Sequence, residues 1–121
     1  MKILCAFCLL ALSTVVAMTV TQNEVSCRDQ EGASDVDVEM FQALQTPETK
    51  TTKCYYSCIM QYLGFHDGQR FDKEGFLVTM LAAAKTEQVR QNMRRLAEQC
   101  DGTDNHDPCE LAADIVECIK R

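Results

Sequence analysis

Beyond about residue 33, apolar side chains recur every three to four positions and never alternate in a sustained run. That pattern predicts helices and no strand. Val38, Phe41 and Leu44 share one face of a short helix that Ser34 or Asp35 can cap. Pro47 marks a break and suits the opening of a next helix, running to about Leu63 with Gly64 as its stop. "FHDGQRFD" reads as a turn-rich link, after which Asp72 caps a helix carrying Phe76, Leu77, Met80, Leu81 and Ala84. Thr86 starts another, with Val89, Met93, Leu96 and Cys100 on its stripe. The acidic loop "DGTDNHDP" follows, and Pro108 opens a last helix with Leu111, Ala112, Ile115, Val116 and Ile119 inward. Residues 18–33 are polar and read as a loose arm with one helical turn near Cys27. The expected fold is all-α, five to six short helices, with no internal repeat and no low-complexity tract. Helices this short are marginal alone in water, so something must hold them together.

The first residues, "MKILCAFCLLALSTVVAM", change the picture. Lys2 is a basic start, Ile3 to Val16 an apolar run, and Val15-Val16-Ala17 a small-residue cleavage site. This is the layout of a secretory signal peptide, residues 1–17, leaving 18–121 as the mature helical domain. A retained anchor is the weaker reading, because the run is short for a bilayer span and no second one follows. Cleavage removes Cys5 and Cys8, so the eight cysteines become Cys27, Cys54, Cys58, Cys100, Cys109 and Cys118. The formal net charge of −6 becomes more negative by one as Lys2 leaves. An acidic secreted domain repels phosphate backbones, which argues against nucleic acid and against docking on an anionic membrane by charge. No Asn-x-Ser/Thr sequon occurs.

Six cysteines in a small secreted domain imply disulfide staples. Cys54 and Cys58, four apart on one helix face, point the same way and cannot converge on each other. Cys109 and Cys118 lie half a turn out of phase and face opposite ways. Each therefore takes a partner elsewhere. Of the 15 pairings open to six cysteines, ten avoid both local pairs, and the spacing alone does not choose among them.

Other chemistry is weaker. Zinc would need a second ligand pair, and His66 and His106 stand alone in loops next to aspartates. A redox pair would need Cys-x-x-Cys beside a βαβ unit. "HDPC", His106 to Cys109, is similar to the His-Asp-x-Cys of secreted phospholipases A2 but lacks their Gly-rich calcium loop and upstream cysteine pair. Counting an EF-hand loop from Asp101 puts His106 and Ala112 where Gly and Glu are required, so Asp101, Asp104 and Asp107 read as a solvated loop. No serine hydrolase motif is present. The expectation is a protein that is not an enzyme and uses no metal or cofactor.

The cysteine intervals then carry a resemblance. A gap of 26 residues follows Cys27, then Cys54-x3-Cys58, a gap of 41, Cys100-x8-Cys109 and Cys109-x8-Cys118. Together with "KCYYSCIMQYLGF" and "DGQRFDKEGF", this resembles the six-cysteine pattern of the insect odorant-binding protein family, also called the pheromone- and general-odorant-binding family. The resemblance covers nearly the whole mature chain. It implies the pairs Cys27–Cys58, Cys54–Cys109 and Cys100–Cys118, a pairing among the ten above. Two departures matter: only about ten mature residues precede Cys27, where members carry a fuller first helix, and three residues follow Cys118. A tail that short is not expected to fold into a pocket as a lid.

The resemblance also implies helices around an internal apolar cavity, and a secreted, extracellular carrier of small hydrophobic ligands. Its expected partner is an odorant, pheromone or fatty-acid-like molecule, with a chemoreceptor as a further candidate. A monomer or weak homodimer is expected, with no membrane span. The candidate lining is Phe41, Leu44, Tyr55, Ile59, Met60, Phe76, Met80, Leu81, Val89, Met93, Leu96, Val116 and Ile119, each of which plain packing would also explain. Met60, Met80 and Met93 sit on three helices, and their flexible thioethers suit a wall that adapts to ligand shape. Tyr55, Tyr56 and Gln61 are the polar handles on offer, and a secreted salivary, venom or seminal interaction protein on the same scaffold is the alternative.

Overall fold

The loose arm expected before Gly32 is a helix. The structure, a computed structural model, describes residues 24–121, and residues 24–31 form α1, with Cys27 inside it. The predicted signal peptide and its cleavage point lie outside the described residues. Gly32 takes φ +67°, and the Ala33 N–H closes the end of α1 on the Arg28 carbonyl at 2.9 Å. Helix α2 spans Asp35–Gln42. Its capping box is reciprocal: Ser34 Oγ accepts from the Asp37 N–H, and the Asp37 carboxylate accepts from the Ser34 N–H at 2.8 Å.

Helix α2 stops two residues before the expected end. Leu44 turns out of it at φ +53°, a left-handed conformation that costs a non-glycine residue ~1–2 kcal/mol. Pro47 breaks the chain but does not open the next helix. It is buried in the linker, which Tyr56 pins by donating its hydroxyl to the Gln45 carbonyl at 2.7 Å. Thr49 is the cap of α3, Lys50–Tyr62, because its side chain can accept from the Thr52 N–H, which proline cannot do. Gly64, at φ +81°, ends α3 as expected.

Residues 65–72 form a tight turn closed by a His66–Phe71 bridge and tied to the 101–107 loop through Arg70–Asp104. Asp72 then caps α4, Lys73–Ala83; Thr86 caps α5, Glu87–Cys100; Asp107 caps α6, Pro108–Lys120, with Pro108 in its first turn. The described residues thus hold six helices and no strand beyond isolated bridges.

Three disulfides join them: Cys27–Cys58 ties α1 to α3, Cys54–Cys109 ties α3 to α6, and Cys100–Cys118 ties α5 to α6. Cys54 and Cys58 therefore send α3 in two directions. Helices α3 and α6 pack against each other as the solid centre, where Tyr56, Leu111, Ala112, Ile115 and Val116 are fully buried. Lys53 Nζ meets Glu110 at 3.0 Å across the same interface, half-exposed and so a modest addition. Helix α4 packs chiefly on α5 and meets α3 at its end. There Gly75 lies so close to the Gly64 carbonyl that a β-carbon would collide with backbone, and Thr79 donates its hydroxyl to the Leu63 carbonyl at 2.6 Å.

Candidate ligand-binding site

Where α1, α2, α3 and α4 meet, the side chains do not close. They leave an apolar cleft of about 480 Å³, lined by Phe41, Leu44, Ile59, Leu63, Phe65 and Met80, with Glu24, Gln42 and Tyr62 at its polar margins. Each contribution follows from local structure. Leu44 reaches the cleft because its left-handed turn redirects the chain after α2. Leu63 and Phe65 flank Gly64, and the Phe65 N–H bonds the Met60 carbonyl at 2.8 Å. Met80 stands one helical turn beyond Phe76, which is buried between Phe65 and Phe71 with ring centroids at 5.0 and 5.4 Å. Half-exposed Tyr62 opens the cleft to solvent.

Of the expected lining, the structure brings together Phe41, Leu44, Ile59 and Met80. Tyr55, Met60, Phe76 and Val116 lie in the solid core instead, with almost no exposed surface. Leu81, Met93, Leu96 and Ile119 are partly buried but stand outside this lining, and Val89 is 39% exposed in the first turn of α5. The three methionines do not share one wall: Met60 packs against protein, Met80 against the cleft, and Met93 against the edge of the core. The reading of the sequence missed Leu63, Phe65 and Tyr62. Leu63 and Phe65 lie at a helix end and in a turn, where helical periodicity carries no signal.

The polar handles also separate. Tyr56 is spent on Gln45, and burial, with Asp37 nearby, pushes its phenol up to about 12. Gln61 is exposed. Tyr55 is fully buried between Phe41 and Tyr56, with its ring edge-on to Phe41 at 6.2 Å, and among the described residues its hydroxyl has no hydrogen-bond partner. Burial and then the Glu24 carboxylate raise its pKa, so it is a neutral donor at any physiological pH.

His66 is not the solvated loop residue its sequence neighbours suggest. Nε2 lies 3.0 Å from the Ser57 carbonyl and 3.2 Å from Ser57 Oγ, and Nδ1 accepts from the Gly68 N–H at 2.9 Å. A carbonyl on one side and an N–H donor on the other select the neutral ring protonated at Nε2. Burial lowers its pKa, opposed by the bond to Ser57 and by Asp67. His106 is exposed. It borders a second, larger cleft of about 770 Å³ with Asp67, Gln69, Arg70, Asp104 and Asn105. That lining is polar, so an apolar molecule would gain little there. Asp107 serves as the cap of α6, accepting from the N–H groups of Cys109 and Glu110.

With this geometry described, comparison with known proteins decides the family. The sequence profile of the PBP/GOBP family matches residues 11–121. The chain belongs to the PBP/GOBP family. This agrees with the family its cysteine intervals resemble, and the disulfide pairing in the structure is the one that resemblance implied. General odorant-binding protein 19d of Drosophila melanogaster is 26% identical over 96 residues, 77% of this chain and 64% of that protein. The match thus spans a little under two thirds of that relative's length. Among solved structures, odorant-binding protein 28a of Drosophila melanogaster superposes with a TM-score of 0.69 at 20% identity, covering 87% of this chain and 89% of that one. The fatty acid binding protein OBP56a from the oral disk of the blowfly Phormia regina gives 0.63 at 18% identity, covering 86% and 88%. At such identities these likenesses show the fold. Of the two clefts described, the one between α1, α2, α3 and α4 has the apolar lining.

Proposed function

We propose that the protein is a secreted extracellular carrier that holds a small hydrophobic ligand in the cleft between α1, α2, α3 and α4, without covalent chemistry. The observation that carries the reading is the cleft itself. Its volume of about 480 Å³ falls within the ~300–1,000 Å³ of ordinary small-molecule sites. Six apolar side chains line it, and each methylene a ligand buries there contributes ~0.8 kcal/mol. Family membership supports the ligand class, and the blowfly protein of the same fold is named for fatty acid binding. The six paired cysteines fit an oxidising compartment, in line with a secreted protein. No helix of the described residues is long and apolar enough to cross a membrane. A chemoreceptor as later partner, and a monomer or weak homodimer in solution, belong to the same reading.

The test is displacement of a fluorescent apolar probe, N-phenyl-1-naphthylamine, by long-chain alcohols, esters and fatty acids. Saturable binding and displacement at micromolar concentrations are expected. Absence of probe binding by folded protein would favour a secreted interaction protein on the same scaffold.

A further inference from the structure

We infer that Tyr55 is the residue that selects the ligand's head group, and that the preferred ligand is a long apolar chain bearing a neutral hydrogen-bond acceptor, such as a ketone, aldehyde or ester. The inference rests on the carrier reading and adds to it a determinant and a ligand class.

The first observation is the orphaned hydroxyl. Buried polar groups in native proteins are nearly always hydrogen-bonded, so each exception calls for a reason. Tyr55 is fully buried and its hydroxyl meets no partner among the described residues, whereas the adjacent Tyr56 hydroxyl is satisfied. The second observation is position. Tyr55 lies one helical turn before Ile59 on the same face of α3, and Ile59 lines the cleft. Its ring packs on Phe41, and the Glu24 carboxylate is near enough to act on its phenol. Both Phe41 and Glu24 line the cleft, so Tyr55, itself outside the lining, stands behind its wall at that end. Phe41 is only partly buried, and α2, which carries it, buries no residue. A head group entering at this end therefore displaces the least firmly held wall before it reaches the phenol.

Charge then decides the kind of head group. The ionised groups that act on Tyr55 are Glu24, Arg28 and Asp37. Arg28 is already paired with Asp35 at 2.8 Å, so among the described residues that act on Tyr55 no free cation waits for a carboxylate. Two carboxylates would repel one. A protonated phenol has a hydrogen to donate, and a neutral carbonyl oxygen accepts it without a charge to bury.

The experiment compares three competitors of similar chain length against N-phenyl-1-naphthylamine at pH 8: 2-tridecanone, 1-tridecene and dodecanoate. Wild type should bind the ketone about fivefold or more tightly than the alkene, the ratio expected of one net hydrogen bond. Dodecanoate should be weaker than the ketone. In Tyr55→Phe the ketone-to-alkene ratio should fall towards one. A purely structural hydroxyl would not move that ratio. Thermal unfolding gives a second readout: ligand-free Tyr55→Phe should melt at the wild-type temperature or above, because no protein hydrogen bond is lost. An unchanged ratio, a preference for dodecanoate, or a lower melting temperature in Tyr55→Phe would each overturn the head-group role while leaving the carrier reading intact. Failure of wild type to bind the probe at all would overturn both.

Discussion

The α3–α6 interface and the cleft beside α2 and α4 are built from the same residue types, yet one is solid and the other open. In the interface, Tyr56, Leu111, Ile115 and Val116 meet other side chains on every side, and Cys54–Cys109 locks the two helices together. Beside the cleft, α2 buries no residue, α4 buries only Phe76, and Phe41, Leu44 and Met80 keep part of their surface open. Among the described residues the three crosslinks join α1, α3, α5 and α6, whereas none touches α2 or α4. The lesson is a division of labour. The stapled helices supply stability, so α2 and α4 can leave apolar surface uncovered.

The largest blow to this division should come from removing its staple. Cys54→Ser with Cys109→Ser opens a link between residues 55 apart and should cost ~2–5 kcal/mol in chemical denaturation. Probe affinity would then be lost together with the fold. A loss under ~1 kcal/mol would show that α3–α6 packing holds the centre without the bond.

Gly75→Ala should strike the cleft side. Its new β-carbon would meet the Gly64 carbonyl, a backbone atom that cannot swing away. Helix α4 must shift off the end of α3, at a cost of ~1–3 kcal/mol. Because Met80 rides on α4, probe affinity should fall several-fold more than the stability change alone accounts for. Measuring unfolding and probe titration on the same preparation decides it.

The two methionines sharpen the contrast further. Met60→Phe overpacks a closed core and should lower stability by ~1–3 kcal/mol. Met80→Phe puts a ring into the cleft and should weaken probe binding strongly, with a stability change under ~1 kcal/mol. Equal destabilisation by both would make the cleft an ordinary part of the core.

The smallest effect concerns pH. The His66 pKa is lowered in the folded protein, so below its ordinary value near 6.5 the unfolded chain takes up the proton first. Stability from this group is therefore complete above about pH 6.5 and lost as pH falls towards and through the folded pKa. Asp37, whose pKa is lowered chiefly by the Ser34 N–H, gives its full contribution above its ordinary 3.8 and loses it only as pH falls below that, so it adds no slope in this window. Unfolding free energy measured between pH 7.5 and 5 should decline in wild type and decline less in His66→Gln. Identical slopes would show that the His66–Ser57 contact does not discriminate against the proton.

Much of the architecture was legible because it is local. Ser34, Asp72 and Thr86 cap helices through side chains that reach their own next turn, and Gly64 supplies the one conformation that ends α3. The cysteine intervals carried the family and, through it, the crosslinks. Misreadings clustered where the controlling contact is distant in sequence. Pro47 resembles a helix opener, but Tyr56 of α3 pins its linker through the Gln45 carbonyl, and Thr49 caps α3 instead. His66 resembles a solvated loop residue until the turn at 65–72 folds it onto Ser57 of α3.

The site divides the same way. A helical apolar stripe establishes that Met60, Met80, Tyr55 and Ile59 face inward, because one side of each helix must leave water. It carries no information about whether the inward space is filled by another side chain or left for a ligand. That outcome depends on how far neighbouring helices approach, and the approach is set by contacts such as Gly75 on Gly64 and by where the disulfides do and do not reach. The chain by itself thus determined an all-helical, crosslinked family member with an apolar interior. Only the tertiary packing decided that Met60 would be core, Met80 wall, and the hydroxyl of Tyr55 buried behind Phe41 without a partner among the described residues.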